Sequence, residues 1–241
     1  MIRRFTHPAV IKPGMPALIV ILGLLLGGAP AVTPSPQSPP PPDWEHTLTS
    51  MGLVDVQLLH SEIRVDLKYS TTDNFLGLDV YGTLEKCFLQ KEAARKLAAA
   101  QDLLTSLKPG WHLLIFDGAR PRRIQVRMWE IVKDTQQREY VANPANGSIH
   151  NYGAAVDLTI LKGDGHELDM GTPFDYFGDL AQPGLEEEFL KQGKLSAEQV
   201  GNRRLLRKVM SDAGFRPISV EWWHFDAFPR EEVKKRFAII E

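Results

Sequence analysis

Two short segments hold most of the side chains able to do chemistry. In the first, Ser148-Ile-His150-Asn-Tyr-Gly153-Ala-Ala155-Val-Asp157-Leu-Thr159, an imidazole on a glycine-punctuated loop precedes a carboxylate set in an apolar run. A carboxylate in a strand otherwise fit for burial is costly unless it is paired or bound to a metal. The second, Glu221-Trp-Trp-His224-Phe-Asp226, again places a carboxylate and an imidazole among large apolar side chains. His150, Asp157 and His224 together make a set of two imidazoles and one carboxylate, which leaves zinc a fourth position for water and suits a catalytic site better than a structural one. Glu221 is left over as a base. Taken singly, each residue has a plainer role: a histidine is more often hydrogen-bonded or at the surface than a ligand, Asp157 could cap a turn or pair with an arginine, and Trp222 and Trp223 could be core. Spacing alone suggests a metal site without establishing it. His46, His60, His112 and His166 stand in unremarkable settings.

Those side chains need a scaffold, and the hydropathy pattern outlines one. Val54-Asp-Val-Gln-Leu-Leu59 and Ile63-Arg-Val-Asp-Leu67 alternate as strands do. Leu84 to Leu107 reads as a helix, with Leu89, Ala93, Leu97, Ala100, Leu104 and Leu107 spaced by three or four and Pro109-Gly110 as its stop. Trp111-His-Leu-Leu-Ile-Phe116 is an apolar strand, Pro121 suits the first turn of a helix running to about Gln137, and Ala154 to Leu161 is a further strand. Ser196-Ala-Glu-Gln199 opens a helix in capping-box form, with Leu205, Leu206, Val209 and Met210 facing inward and Gly214 at its end. Ser219 to Trp223 is the last strand. Strands and helices mixed without regular βαβ periodicity predict an α+β domain, a central, mostly antiparallel sheet flanked by helices.

The 241 residues are 43% hydrophobic and 24% charged, proportions of a globular protein that exclude a wholly disordered, collagen-like or multi-span membrane chain. Residues 1–42 stand apart, holding ten of the 17 prolines, the basic residues Arg3, Arg4 and Lys12, and no acidic residue. Their order of basic start, apolar run Pro16 to Leu26 and small residues around Ala29-Pro30-Ala31 reads as a signal peptide over 1–31. The run is short for a membrane span of about 20 residues, so an uncleaved anchor is the lesser alternative. Residues 32–42, chiefly Pro34-Ser-Pro-Gln-Ser-Pro-Pro-Pro-Pro42, read as a stiff tether. An exported protein follows, periplasmic or extracellular. Residues 43–241 then form one domain whose 25 basic and 30 acidic side chains give a formal charge of −5, with no footprint for nucleic acid and none for a membrane beyond the N-terminal segment. The single cysteine, Cys87, permits no intrachain disulfide, which leaves stability to packing and a metal.

Read jointly, the segments say more. Ser148-x-His150-x-x-Gly153-x-Ala155-x-Asp157 followed by Glu221-x-Trp-His224 resembles the zinc signature of the D-alanyl-D-alanine dipeptidase family, part of a wider group of zinc D,D-peptidases with the hedgehog-like fold. The resemblance continues through Asp66-Leu-Lys-Tyr69, Asp73-Asn-Phe-Leu-Gly77, Val80-Tyr-Gly82, Phe116-Asp-Gly-Ala-Arg120-Pro121, Leu168-Asp-Met-Gly-Thr-Pro-Phe174-Asp175 and Asn202-Arg-Arg-Leu-Leu-Arg207, spanning Val54 to Asp226.

What the resemblance implies is specific. His150, Asp157 and His224 match the ligands of one zinc ion per chain, Glu221 the catalytic base, and Arg120 the arginine that steadies the tetrahedral intermediate. Ser148, Asp117, Tyr69 and Asp175 match residues near a bound dipeptide. A small zwitterion calls for a carboxylate to meet its ammonium, Asp175 before Asp117, and for donors to its own carboxylate, where Ser148 fits. The implied activity is zinc-dependent hydrolysis of D-alanyl-D-alanine or similar D,D-dipeptides to free amino acids, in cell-wall peptide turnover or salvage. Alternatives are a D,D- or L,D-carboxypeptidase acting on longer stem peptides and a non-catalytic zinc-containing module that binds cell wall. The last is disfavoured because Glu221 and Arg120 are both present. Two departures matter: the stretch from Arg120 to Ser148 is shorter than in resistance-associated members, which predicts a more open entrance, and the export signal separates this chain from members that act inside the cell.

Overall fold

The computed structural model describes residues 43–241; the signal peptide expected over 1–31 and the tether over 32–42 lie outside the described residues. Helix α1 (Trp44–Ser50) is followed by strand β1 (Val54–Asp55), the single helical turn α2 (Val56–Leu59) and β2 (Arg64–Val65). Then come β3 (Phe88–Leu89), α3 (Lys91–Leu107), β4 (His112–Asp117), α4 (Arg122–Val132) and β5 (Ala155–Leu161). The chain finishes with α5 (Glu186–Lys191), α6 (Ala197–Asp212), β6 (Arg216–Pro217), β7 (His224–Asp226) and α7 (Arg230–Arg236).

Five strands form one sheet in the order β2-β4-β5-β7-β6, and β1 and β3 form a separate antiparallel pair. Within the larger sheet only β2 and β4 run parallel; the other three pairings are antiparallel. The class is therefore α+β with a mostly antiparallel sheet, as the mixed pattern predicts. β4 and β5 are buried along nearly their whole length, which is why both read as apolar runs rather than as alternations. α3 turns Ala93, Ala94, Leu97, Ala100 and Leu104 to the core and packs on β4, α2 and α6. Its three buried alanines leave room for close approach. α6 begins with the expected capping box, Ser196 accepting from the Gln199 backbone and Gln199 reaching back. Among the described residues no helix is long and apolar enough to cross a membrane.

Four elements differ from the sequence expectation. The run from Val54 is a strand for two residues only, because the Asp55 carboxylate accepts the Gln57 N–H at 2.9 Å and turns the chain into α2. The helix expected from Leu84 begins at Lys91: Val56 N–H bonds Cys87 O at 3.0 Å and Gln90 N–H bonds Gly153 O at 2.8 Å, so the preceding residues are held extended. α4 ends at Val132, and a separate 3-10 turn at Gln136–Tyr140 follows. Ser219 to Trp223 forms no strand; it is a bend that buries both tryptophans, and pairing starts at His224.

Candidate active site

Strand register places the central pair. Asp157 on β5 lies directly opposite His224 on β7, and Asp117 on β4 lies on the other side of Asp157. His150 comes from a 3-10 turn, Ile149–Tyr152, that Ser148 and Asn151 close as a capping box and that ends at Gly153 in the left-handed region at φ 63°. A β-carbon there would meet Leu53 at 2.5 Å, so glycine serves both the conformation and the close approach.

His150 Nδ1 lies 2.8 Å from Gly118 O, an acceptor only, so Nδ1 carries the proton and Nε2 presents its lone pair. His224 Nε2 lies 2.9 Å from Asp226 Oδ1, which likewise turns the Nδ1 lone pair inward. The two inward nitrogens are 3.1 Å apart, and the Asp157 oxygens stand 3.3 Å from the first and 2.9 Å from the second. Three acceptors thus converge in a buried place. Burial works against charge on His224, yet its bonds to Asp157 and Asp226 lift its pKa well above the usual histidine value. Burial alone would raise Asp157, but the two imidazoles outweigh it and hold the carboxyl far below the usual range. The set demands positive charge at its centre, as a proton or as a metal cation. Tetrahedral bonds of about 2.0–2.2 Å to N and O put neighbouring ligand atoms roughly 3.3 Å apart, close to the separations seen, so zinc fits this donor set. Gly118 O and Asp226 would then be the outer partners that fix the imidazole tautomers.

Arg120 is buried beside this cluster. Its Nε and Nη2 bond Asp117 Oδ2 at 2.9 and 2.5 Å, its Nη1 bonds Gln125 Oε1 at 2.9 Å, and its guanidinium lies over the Tyr69 ring, 5.1 Å from the centroid. Its Nη2 is 3.8 Å from Asp157 Oδ2. Asp117 is wholly buried and also accepts from Tyr81 Oη at 2.6 Å and from Gly118 N–H at 2.9 Å. Asp117 is not among the cavity wall residues, and its oxygens accept from Arg120, Tyr81 and Gly118.

A cavity of about 580 Å³ opens over His150, Asp157 and His224, with Arg120, Tyr69, Ser148, Asp175 and Glu221 in its wall. Asp175 sits at φ 59°, a strained position for a residue other than glycine, and among the described residues its only side-chain partner is Tyr69 Oη at 3.0 and 3.1 Å from its two oxygens. Burial first, then the Asp157 charge, pushes its pKa well above the usual carboxylate value. Burial also raises Glu221. Ser148 Oγ accepts the His150 N–H at 3.3 Å, which leaves its own O–H to point elsewhere.

The sequence reading missed several wall and support residues. Asp226 was visible two residues past His224, the spacing that puts both on one strand face. Gln125, Tyr81 and Asn151 act through contacts that no local pattern announces. The outer wall is aromatic: Tyr140 stacks on Phe177 at 4.7 Å, and Phe75 meets Phe177 edge-on at 4.9 Å. Tyr140 belongs to the Arg120–Ser148 stretch, which thereby contributes to the cavity wall.

A family profile described as D-ala-D-ala dipeptidase matches residues 49–240. The chain is 33% identical over 174 residues to the D-alanyl-D-alanine dipeptidase of Escherichia coli (strain K12), covering 72% of this chain and 83% of that protein. It is 31% identical over 186 residues to the D-alanyl-D-alanine dipeptidase of Enterococcus faecium, covering 70% and 87%. A dipeptidase of the same name from Streptomyces coelicolor (strain ATCC BAA-471 / A3(2) / M145) is 32% identical over 187 residues, covering 70% and 88%.

Proposed function

Since the chain belongs to the D-alanyl-D-alanine dipeptidase family and hydrolyses D-alanyl-D-alanine, we propose that His150, Asp157 and His224 hold a zinc ion beside Glu221 and Arg120. The observation that carries this is the convergence of two imidazole nitrogens, 3.1 Å apart, with the Asp157 carboxylate, whose two oxygens lie 3.3 Å from one nitrogen and 2.9 Å from the other, in a cavity whose wall also presents a buried carboxylate and a buried guanidinium. Zinc in such a site supplies Lewis-acid polarisation of the scissile carbonyl and makes water more acidic. Glu221 takes the proton of the attacking water and passes it to the leaving amine, a task suited to a carboxylate whose proton affinity burial has raised. Arg120 faces the oxygen on which negative charge develops, and Asp117 and Gln125 fix its fork there before the reaction begins.

At the ends of the dipeptide, Asp175 receives the ammonium and the Ser148 hydroxyl donates to the terminal carboxylate. Tyr69 contributes by holding Asp175. The order of basic, apolar and small residues over 1–31 supports export, which would direct the activity to dipeptides released from peptidoglycan. The test is elemental analysis of the purified protein together with alanine release from D-Ala-D-Ala, L-Ala-L-Ala and a stem pentapeptide. Bound zinc and a preference for D-Ala-D-Ala are expected. Active protein without zinc would overturn the metal assignment, and faster release from the pentapeptide would move the chain to the carboxypeptidase reading.

A further inference from the structure

Arg203 is fully buried on α6, with no role in the site as described so far. Its Nε donates to Met170 O at 2.6 Å, and its Nη2 reaches Thr172 Oγ1 at 3.5 Å. Its nearest counter-charge, Glu186, stands 3.7 Å from Nη1, beyond hydrogen-bond reach, and is itself gripped by both nitrogens of the Arg207 fork. Among the described residues Arg203 Nη1 has no hydrogen-bond partner. A buried cation so poorly repaid by its ion pair is weakly accounted for by stability alone. What it does touch is the strap from Leu168 to Asp175.

That strap is fastened to α6 at further points: Gln199 Nε2 donates to Asp169 Oδ2 at 2.9 Å, and Asn202 Nδ2 donates to Asp169 O at 2.8 Å. Gly171, at φ 81°, lets it approach so closely that a β-carbon there would stand 2.5 Å from Leu195. The strap then hands the connection on. Thr172 Oγ1 accepts the Trp222 Nε1–H at 2.8 Å, and the Arg203 guanidinium lies 5.9 Å from the Trp222 ring centroid. Phe174 packs edge-on against Trp223 at 5.5 Å. Asp175 is therefore three residues from Thr172 on one segment, and Glu221 adjoins Trp222 on another.

We infer that Arg203, through Thr172 and the Trp222 indole, is a positioning device that fixes the ammonium-receiving Asp175 and the proton-transferring Glu221 relative to each other. The inference rests on the roles given to those two carboxylates above. Neither Arg203 nor Thr172 lines the cavity, so each acts only through the strap. A loosened strap lets Asp175 leave its strained position, and the site loses discrimination for a free amino terminus.

The test compares kcat/KM for D-Ala-D-Ala and N-acetyl-D-Ala-D-Ala in the full chain and in D175N, T172V, T172S and R203M. The ratio of the two values does not depend on the fraction of protein correctly folded, so a merely structural role would leave it unmoved. The unaltered chain should favour the free dipeptide at least about tenfold, because acetylation leaves a buried charged group unpaired. D175N should bring the ratio near one. T172V, which keeps shape but removes the hydroxyl, should cut it by about threefold or more, R203M should do likewise, and T172S should preserve it. A ratio lost in D175N but unchanged in T172V and R203M overturns the positioning role alone. A ratio unchanged in D175N removes the ammonium role of Asp175 and this inference with it.

Discussion

Replacing Arg120 with alanine separates two effects that the structure places on one side chain. Asp117 is wholly buried and has four hydrogen-bond donations to its carboxylate, from Tyr81, from Gly118 and two from Arg120. R120A removes half of them and the paired counter-charge. Breaking a buried pair by deleting one partner costs about 3–5 kcal/mol, which for a domain of this size lowers the melting temperature by about 6–20 °C. Turnover should fall separately by roughly 10²- to 10³-fold, the loss expected on removing one stabiliser of a developing oxyanion. The double variant R120A/D117N discriminates, because it discharges the orphaned carboxylate. Thermal melts and steady-state kinetics, each run well below the variant's own melting point, should show most of the stability restored and turnover still depressed. Recovery of both in the double variant would refute a role for the guanidinium in the reaction. An unchanged melting temperature in R120A would refute the pairing.

E221Q should retain metal by elemental analysis yet lose about 10²- to 10⁴-fold in kcat, whereas H224A should lose the metal; the reverse pattern would exchange base and ligand. Chelation should abolish activity and lower the melting temperature, since a ligand at about 100 times its Kd adds about 2.7 kcal/mol to the folded state; a melting curve indifferent to chelator would count against the site. Glu221 must be ionised to accept a proton, and its pKa is raised by burial, so kcat should rise with pH through a value above the ordinary glutamate range near about 4.3. An acid limb at or below that value would show the base to lie elsewhere.

The donors were legible because the zinc-like set is local in the chain: an imidazole and a carboxylate within one loop and strand, and a second pair within one short run. Their meeting was not readable from spacing, since it depends on the register of β5 and β7. Asp117 shows the limit most clearly. Its grip on Arg120 was not readable as such, because it is completed by Tyr81, 36 positions away, whose hydroxyl donates to its other carboxylate oxygen. The same holds for the fold. Apolar alternation from Val54 looks like a strand for as long as the Asp55 cap is ignored, and Leu84 to Leu89 looks helical because buried residues of an extended segment supply the same apolar count as a helix face.

The two donors carried on paired strands have one more consequence. A residue inserted into or deleted from β5 or β7 would swing Asp157 or His224 to the opposite face of the sheet, so those stretches admit no change of length. The wall at Glu139–Ala142, by contrast, comes from a connection that bears no donor and is free to lengthen or shorten. Descent from such a molecule would therefore alter which peptides are admitted long before it altered how they are cut, and related chains would diverge in diet while keeping the same chemistry.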